Sequence, residues 1–183
     1  MTRIQRFILW VSIVLSVSFA SGQSRSQSQT HGSKTEIGTA VAVARKGNSL
    51  LETKINGTAV RVAITAYQID LGKQQEPPPE RSNNCTYSSF PCSQVSGLQI
   101  SVGGTNLFVP RSVFADCTDI GNMSLTTEAG GYVLTLTGGD ASEAYSVKVF
   151  FTGHEITKRE LYDLESNSVR QSTTYMPPPV LDN

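Results

Sequence analysis

Apolar and polar residues alternate along much of the chain between residues 39 and 175. A period of two sends successive side chains to opposite faces of a strand, so the pattern predicts half-buried β-structure rather than helix. The clearest case surrounds Asn56-Gly57. Residues 51–55 and 58–64 flank this dipeptide, which supplies the positive φ angles of a two-residue type I′ hairpin turn. Pairing across it opposes Ile55 to Thr58, Thr53 to Val60 and Leu51 to Val62 on an apolar face. The other face opposes Lys54 to Ala59 and Glu52 to Arg61, a cross-strand charge pair turned to water. Turn chemistry, alternation and charge choose the same register. The outgoing strand is expected to reach about Ile69, and residues 39–45 to form a strand before the hairpin.

Further strands are expected at 98–102, 107–109, 124–126, 132–137 and 145–151, separated by the glycine pairs 103–104, 130–131 and 138–139. Between them, Ser112 is expected to cap a short helical turn through Val113, Phe114 and Ala115 toward Cys117. Residues 155–165 have helix propensity and no clean strand face, but their neighbours are strands. A strand is therefore expected there, paired with 169–175 across Ser166-Asn167-Ser168. Short strands, turn glycines and little helix predict an all-β fold, an antiparallel β-sandwich or partly closed barrel.

Four stretches break the pattern. Residues 1–20 carry Arg3 and Arg6, an apolar run from Phe7, and small residues at Ser18 and Ala20, the marks of a cleavable signal peptide. A second cleavage point follows Gly22. Removal takes Trp10, the only tryptophan, and leaves the remainder slightly acidic. No cysteine lies near the cleavage point to carry a lipid, so the expected product is soluble and secreted or periplasmic. Residues 21–36 are rich in Ser and Gln and lack large apolar side chains, so they are expected to be a disordered tether. Residues 37–175 are read as a single β domain. Within it, residues 71–96 form a long loop bearing Pro77-Pro78-Pro79, and after it residues 176–183 form a Pro-rich tail.

The 15 basic and 15 acidic residues give a formal charge of zero, which offers no footprint for nucleic acid. No apolar run reaches the roughly 18 residues of a membrane-spanning helix. In an oxidising compartment the three cysteines allow one bond and one odd thiol. The expected disulfide joins Cys85 and Cys92, which close a short loop, and leaves Cys117 as an unpaired, buried thiol. The alternative ties Cys117 to one of the loop cysteines.

Motifs for catalysis are sparse. His31 lies in the tether and His154 in a turn, and there is no Gly-x-Ser-x-Gly elbow. His154-Glu155 lacks the second histidine of a zinc protease, because Lys158 stands there. The paired glycines lack the Lys-Ser/Thr of a phosphate cradle. Asp116 with Asp119, and Asp140 with Glu143, read as turn formers, with calcium ligation or a glycosidase pair as the alternatives. Asn56, Asn84 and Asn122 each begin an N-glycosylation sequon. No cofactor and no catalytic or metal-binding residue is assigned. The expected role is non-catalytic, binding or structural, with an unknown macromolecular partner. The alternatives are a secreted hydrolase using dispersed Asp and Glu residues, and a carbohydrate-binding module stacking sugars on Tyr67, Tyr87, Tyr132 or Tyr145.

Overall fold

The computed structural model describes residues 40–69, Cys85 and 91–176. The signal segment, the Ser/Gln-rich stretch, the proline triplets, Tyr87 and Asn84 lie outside the described residues. Ten strands are present among the described residues: β1 (Val41–Ala42), β2 (Gly47–Ile55), β3 (Thr58–Ile69), β4 (Cys92–Val102), β5 (Thr105–Asn106), β6 (Ile120–Glu128), β7 (Gly131–Gly138), β8 (Tyr145–Phe151), β9 (Ile156–Asp163) and β10 (Ser168–Thr174). They form two antiparallel sheets, ordered β2-β3-β4-β5 and β1-β6-β7-β8-β9-β10. Each sheet ends in unpaired edge strands, so the architecture is a β-sandwich and not a closed barrel.

The β2–β3 hairpin pairs Ile55 with Thr58, Leu51 with Val62, and Glu52 with Arg61. Arg61 Nε donates to Glu52 Oε1 at 2.8 Å. Asn56 and Gly57 both have positive φ, +51° and +81°. Leu51, Val60, Val62, Ile64, Leu98 and Ile100 from this sheet meet Met123, Leu125, Leu134, Leu136, Val147 and Val149 from the other in one buried core. Each such side chain contributes about 1.5–3 kcal/mol on full burial.

The sheets are tied at one corner. Val43 N, just past β1, donates to Gly121 O at 2.9 Å before the chain enters β2 in the other sheet. Gln94 of β4 bridges Thr118, immediately before β6, and Val95 N donates to Cys117 O at 2.9 Å. The segment 117–119 thus borders β4 at one end and runs into β6 of the opposite sheet.

Several expected boundaries are corrected. The strand expected over 39–45 is only Val41–Ala42, and residues 107–109 form no strand, the short β5 lying before them at Thr105–Asn106. β4 begins at Cys92 rather than 98, inside the stretch read as loop. Thr65 pairs with Gly97 and Ala66 with Val95, so Ser96 is an extra residue that breaks the alternation. β6 extends well beyond 124–126. Residues 156–163 are a strand, and the register slips between Phe150–Lys158 and Phe151–Ile156, leaving Thr157 over. Ile156 and Arg159 therefore both face inward at a spacing of three, which explains the missing alternation. Ser112 does not cap the helical turn. A 3-10 turn spans Arg111–Val113 behind Pro110 with no side-chain cap, and the Ser112 hydroxyl instead meets Tyr175 Oη at 3.3 Å.

Candidate functional site

Cys85 and Cys92 are joined by a disulfide, with Cα atoms 5.8 Å apart, and both are buried. Cys92 opens β4, so the bond fixes Cys85 to the start of that strand. Asp119 stands beside it in the left-handed region, φ +48°, which aspartate tolerates better than most residues. Its Oδ1 accepts from Ser93 N at 2.9 Å and from Arg45 at 3.1 Å. Its side chain is only 5% exposed, and Oδ2 is buried with no hydrogen-bond partner among the described residues. Arg45 also donates to Pro91 O at 2.5 Å, and Ser93 Oγ donates to Arg45 O at 2.8 Å. The sulfurs of Cys85 and Cys92 and a carboxylate oxygen of Asp119 lie within 4.8 Å of one another. With the sulfurs bonded to each other, they are not available as metal ligands.

A second cluster lies where the loop after β5 crosses β9. Arg159 is 2% exposed, and one of its terminal nitrogens donates to both Asp116 oxygens at 2.7 Å. Its Nε donates to Val113 O at 3.0 Å. Cys117 is a free, fully buried thiol. Burial, and then the Asp116 charge, push it up to about 12 against the opposing pull of Arg159. A nucleophile must be a thiolate, so Cys117 is inert in the folded chain. Tyr145 Oη accepts from Thr118 N at 2.8 Å and donates to Thr118 O at 2.5 Å. Burial raises its pKa, with the Cys117 charge adding to the effect. This cluster holds the loop to the core.

The exposed chemistry sits elsewhere. Phe108 is 82% and Met176 86% exposed. With Pro110, His154, Ile156 and Tyr175 they line a cleft of about 240 Å³. Four segments build it: the loop after β5, the β8–β9 turn, the start of β9 and the residues that follow β10. Thr152 shapes the turn, its Oγ1 accepting from His154 N at 3.1 Å and Glu155 N at 3.2 Å. A broader groove of about 460 Å³ crosses the outer face of the first hairpin. Its walls include the mutually paired Glu52 and Arg61 with Ala59 and Ser101.

The outer face of the larger sheet carries an interlocked row. Lys148 Nζ lies 4.5 Å from the Tyr162 ring centre, and Lys158 Nζ 4.2 Å from that of Phe150. Lys158 pairs with Glu160 at 2.9 Å, and Tyr162 Oη donates to Glu160 at 2.5 Å. That hydrogen bond is the main cause holding the Glu160 carboxyl down and pushing the Tyr162 phenol up to about 12.

The candidate residues do not converge. Asp116 and Asp119 are committed to separate arginines, and neither acts merely as a turn former. Asp140 and Glu143 bracket a tight 3-10 turn in which Glu143 N donates to Asp140 O at 2.9 Å. The tyrosines make no stacking row among the described residues. Tyr145 is buried, Tyr132 stacks on Phe151 at 5.3 Å, and Tyr67 donates to Gln94 at 2.6 Å. Asn56 and Asn122 are exposed. Sequence reading missed Arg45, Phe108, Arg159 and Met176. The only signal for Arg159 was a charged residue three positions from Ile156 in a segment without alternation. Compared with protein-family models, curated proteins and solved structures, the chain matches none.

Proposed function

We propose that this is an exported, non-catalytic β-sandwich that binds a protein partner through the end formed by Phe108, Tyr175 and Met176. The observation that carries the reading is the pair of large apolar side chains, Phe108 and Met176, both more than four-fifths exposed beside one cleft. Aromatic residues and methionine are enriched where proteins meet, and a partner that covers them gains about 1.5–3 kcal/mol for each side chain buried. The disulfide suits an oxidising compartment and supports export. Asp116 and Asp119 hold arginines and the buried thiol is inert, which favours binding over hydrolysis.

The test is cross-linking of the tagged chain in its own cells, alongside Phe108→Asp and Glu52→Gln variants. The expected result is one cross-linked species shared by the unmodified chain and Glu52→Gln. Its yield should fall about tenfold or more in Phe108→Asp, equivalent to ~1.4 kcal/mol of binding. The urea midpoint of Phe108→Asp should stay within about 0.5 kcal/mol of the parent, as for other exposed positions. Equal yields from the parent and Phe108→Asp would overturn the reading.

A further inference from the structure

We propose that the corner at Cys85, Cys92 and Asp119 is a two-state site, a disulfide when oxidised and a buried site for one zinc-like divalent cation when reduced. The inference does not depend on the partner-binding reading. It begins from Asp119 Oδ2, a buried carboxylate oxygen with no hydrogen-bond partner among the described residues. Arg45 and Ser93 satisfy Oδ1, but Oδ2 keeps a desolvation cost that no hydrogen bond of its own offsets. It belongs to a side chain 5% exposed, and it is part of the three-residue group whose ligand atoms lie within 4.8 Å of one another. Cys92 is fully buried and Cys85 nearly so.

The donor set matches the cation. Thiolates select soft or borderline metals, and zinc accepts mixed sulfur and carboxylate ligands in a tetrahedron. Three protein ligands leave a fourth position for water, as in open zinc sites. Charge is also matched. Two thiolates and one carboxylate are balanced by the divalent cation together with the Arg45 guanidinium, which already lies 3.1 Å from Oδ1. That contact leaves Oδ2 as the ligand, oriented by Oδ1 bonds to Ser93 and Arg45, the arrangement that holds ligating carboxylates elsewhere. Opening the sulfurs to a shared metal requires an S–S separation of ~3.8 Å, set by Zn–S bonds of about 2.3 Å.

The redox step is a thiol–disulfide exchange with a dithiol reductant. One reductant thiolate attacks a sulfur of the Cys85–Cys92 bond, and that bond breaks. The second reductant thiolate resolves the mixed disulfide. The reductant leaves as its own disulfide, and its two electrons and two protons remain on Cys85 and Cys92 as thiols. The incoming cation then displaces both thiol protons to solvent.

The experiment uses the intact chain, reduced with dithiothreitol, desalted without oxygen and titrated with Co²⁺ and then Zn²⁺. The expected result is one cobalt per chain with thiolate-to-metal charge-transfer absorption, displaced by zinc, and no such absorption in the oxidised chain. Zinc should slow alkylation of Cys85 and Cys92 at least about tenfold. In Asp119→Asn, cobalt affinity should fall about tenfold or more, on the scale seen when groups around a metal are removed. X-ray absorption of the zinc form of the unmodified chain serves as a check that needs no variant, and should show two sulfurs and oxygen ligands at about 2.0–2.2 Å. The proposal is overturned if the reduced chain gives no thiolate–metal absorption. It is equally overturned if Cys85→Ser binds cobalt as well as the parent, if a folded Asp119→Asn binds with parental affinity, or if the zinc shell holds no oxygen.

Discussion

Arg159 shows what one residue is worth in this fold. It is almost fully buried, and its charge is met by Asp116 and by the Val113 carbonyl. Removing one member of a buried pair leaves the other uncompensated, at a cost of about 3–5 kcal/mol. Asp116 is 43% exposed, so Asp116→Ala is expected at the lower end, ~3 kcal/mol, read from the urea midpoint. The neighbouring Cys117 gives a second expected outcome. Its thiol is pushed up to about 12, so iodoacetamide at pH 8 should leave it unmodified in the folded chain and label it in urea. Rapid labelling without denaturant would mean that the loop opens. At the first hairpin, Gly57 has φ +81°, and Gly57→Val should cost about 1 kcal/mol or more. An unchanged urea midpoint would argue against a strained turn. Gly57 was legible in the sequence because its demand is local. The Arg159–Asp116 pair was not, because 43 residues separate its members and no spacing rule joins them.

In the β9–β10 hairpin, Asp163 is expected to make the turn respond to acid. Asp163 accepts from Ser166 N and Glu165 N and pairs with Arg170. The Ser166 amide first, and then Arg170, hold its carboxyl at about 2 against an ordinary 3.8. A carboxyl lowered on folding contributes stability above its ordinary value and loses it as the pH falls through the folded value. The turn should therefore loosen between about pH 4 and pH 2 and be unaffected above that range. Hydrogen exchange at Glu165 and Ser166 would show it, and Asp163→Asn should remove the dependence. An acid transition that persists in that variant would assign it to other groups. Elements were legible where the strand itself carries no extra residue, as in β2, β3, β7 and β8. They were misread where an extra residue intervened, at Ser96 in β4 and Thr157 beside β9, because a bulge shifts the inward face by one position.

At the scale of the whole molecule, the two-sheet architecture was readable because alternation and turn glycines act locally. The cleft was not, because Phe108, His154 and Tyr175 are brought together only by the packing of distant segments. The export reading belongs to this scale as well. The released chain should begin at Ser21 or Gln23 and, without Trp10, show tyrosine emission only. N-terminal sequencing of the exported fraction checks this, and finding Met1 there would reject the signal peptide. The placement of β1 has a consequence in time. Strands β2 to β5 are consecutive in the chain and pair among themselves, so that sheet has all its partners once Asn106 has been synthesised. Val41, which is made earlier, pairs with Met123, which is made much later. Throughout that interval β1 lacks its pairing partner, and from Asn106 onward the sheet beside it already has all of its strands. The pairing of β1 with β6 is thus the last for its strand to make, and β1 stays undocked until β6 has been made.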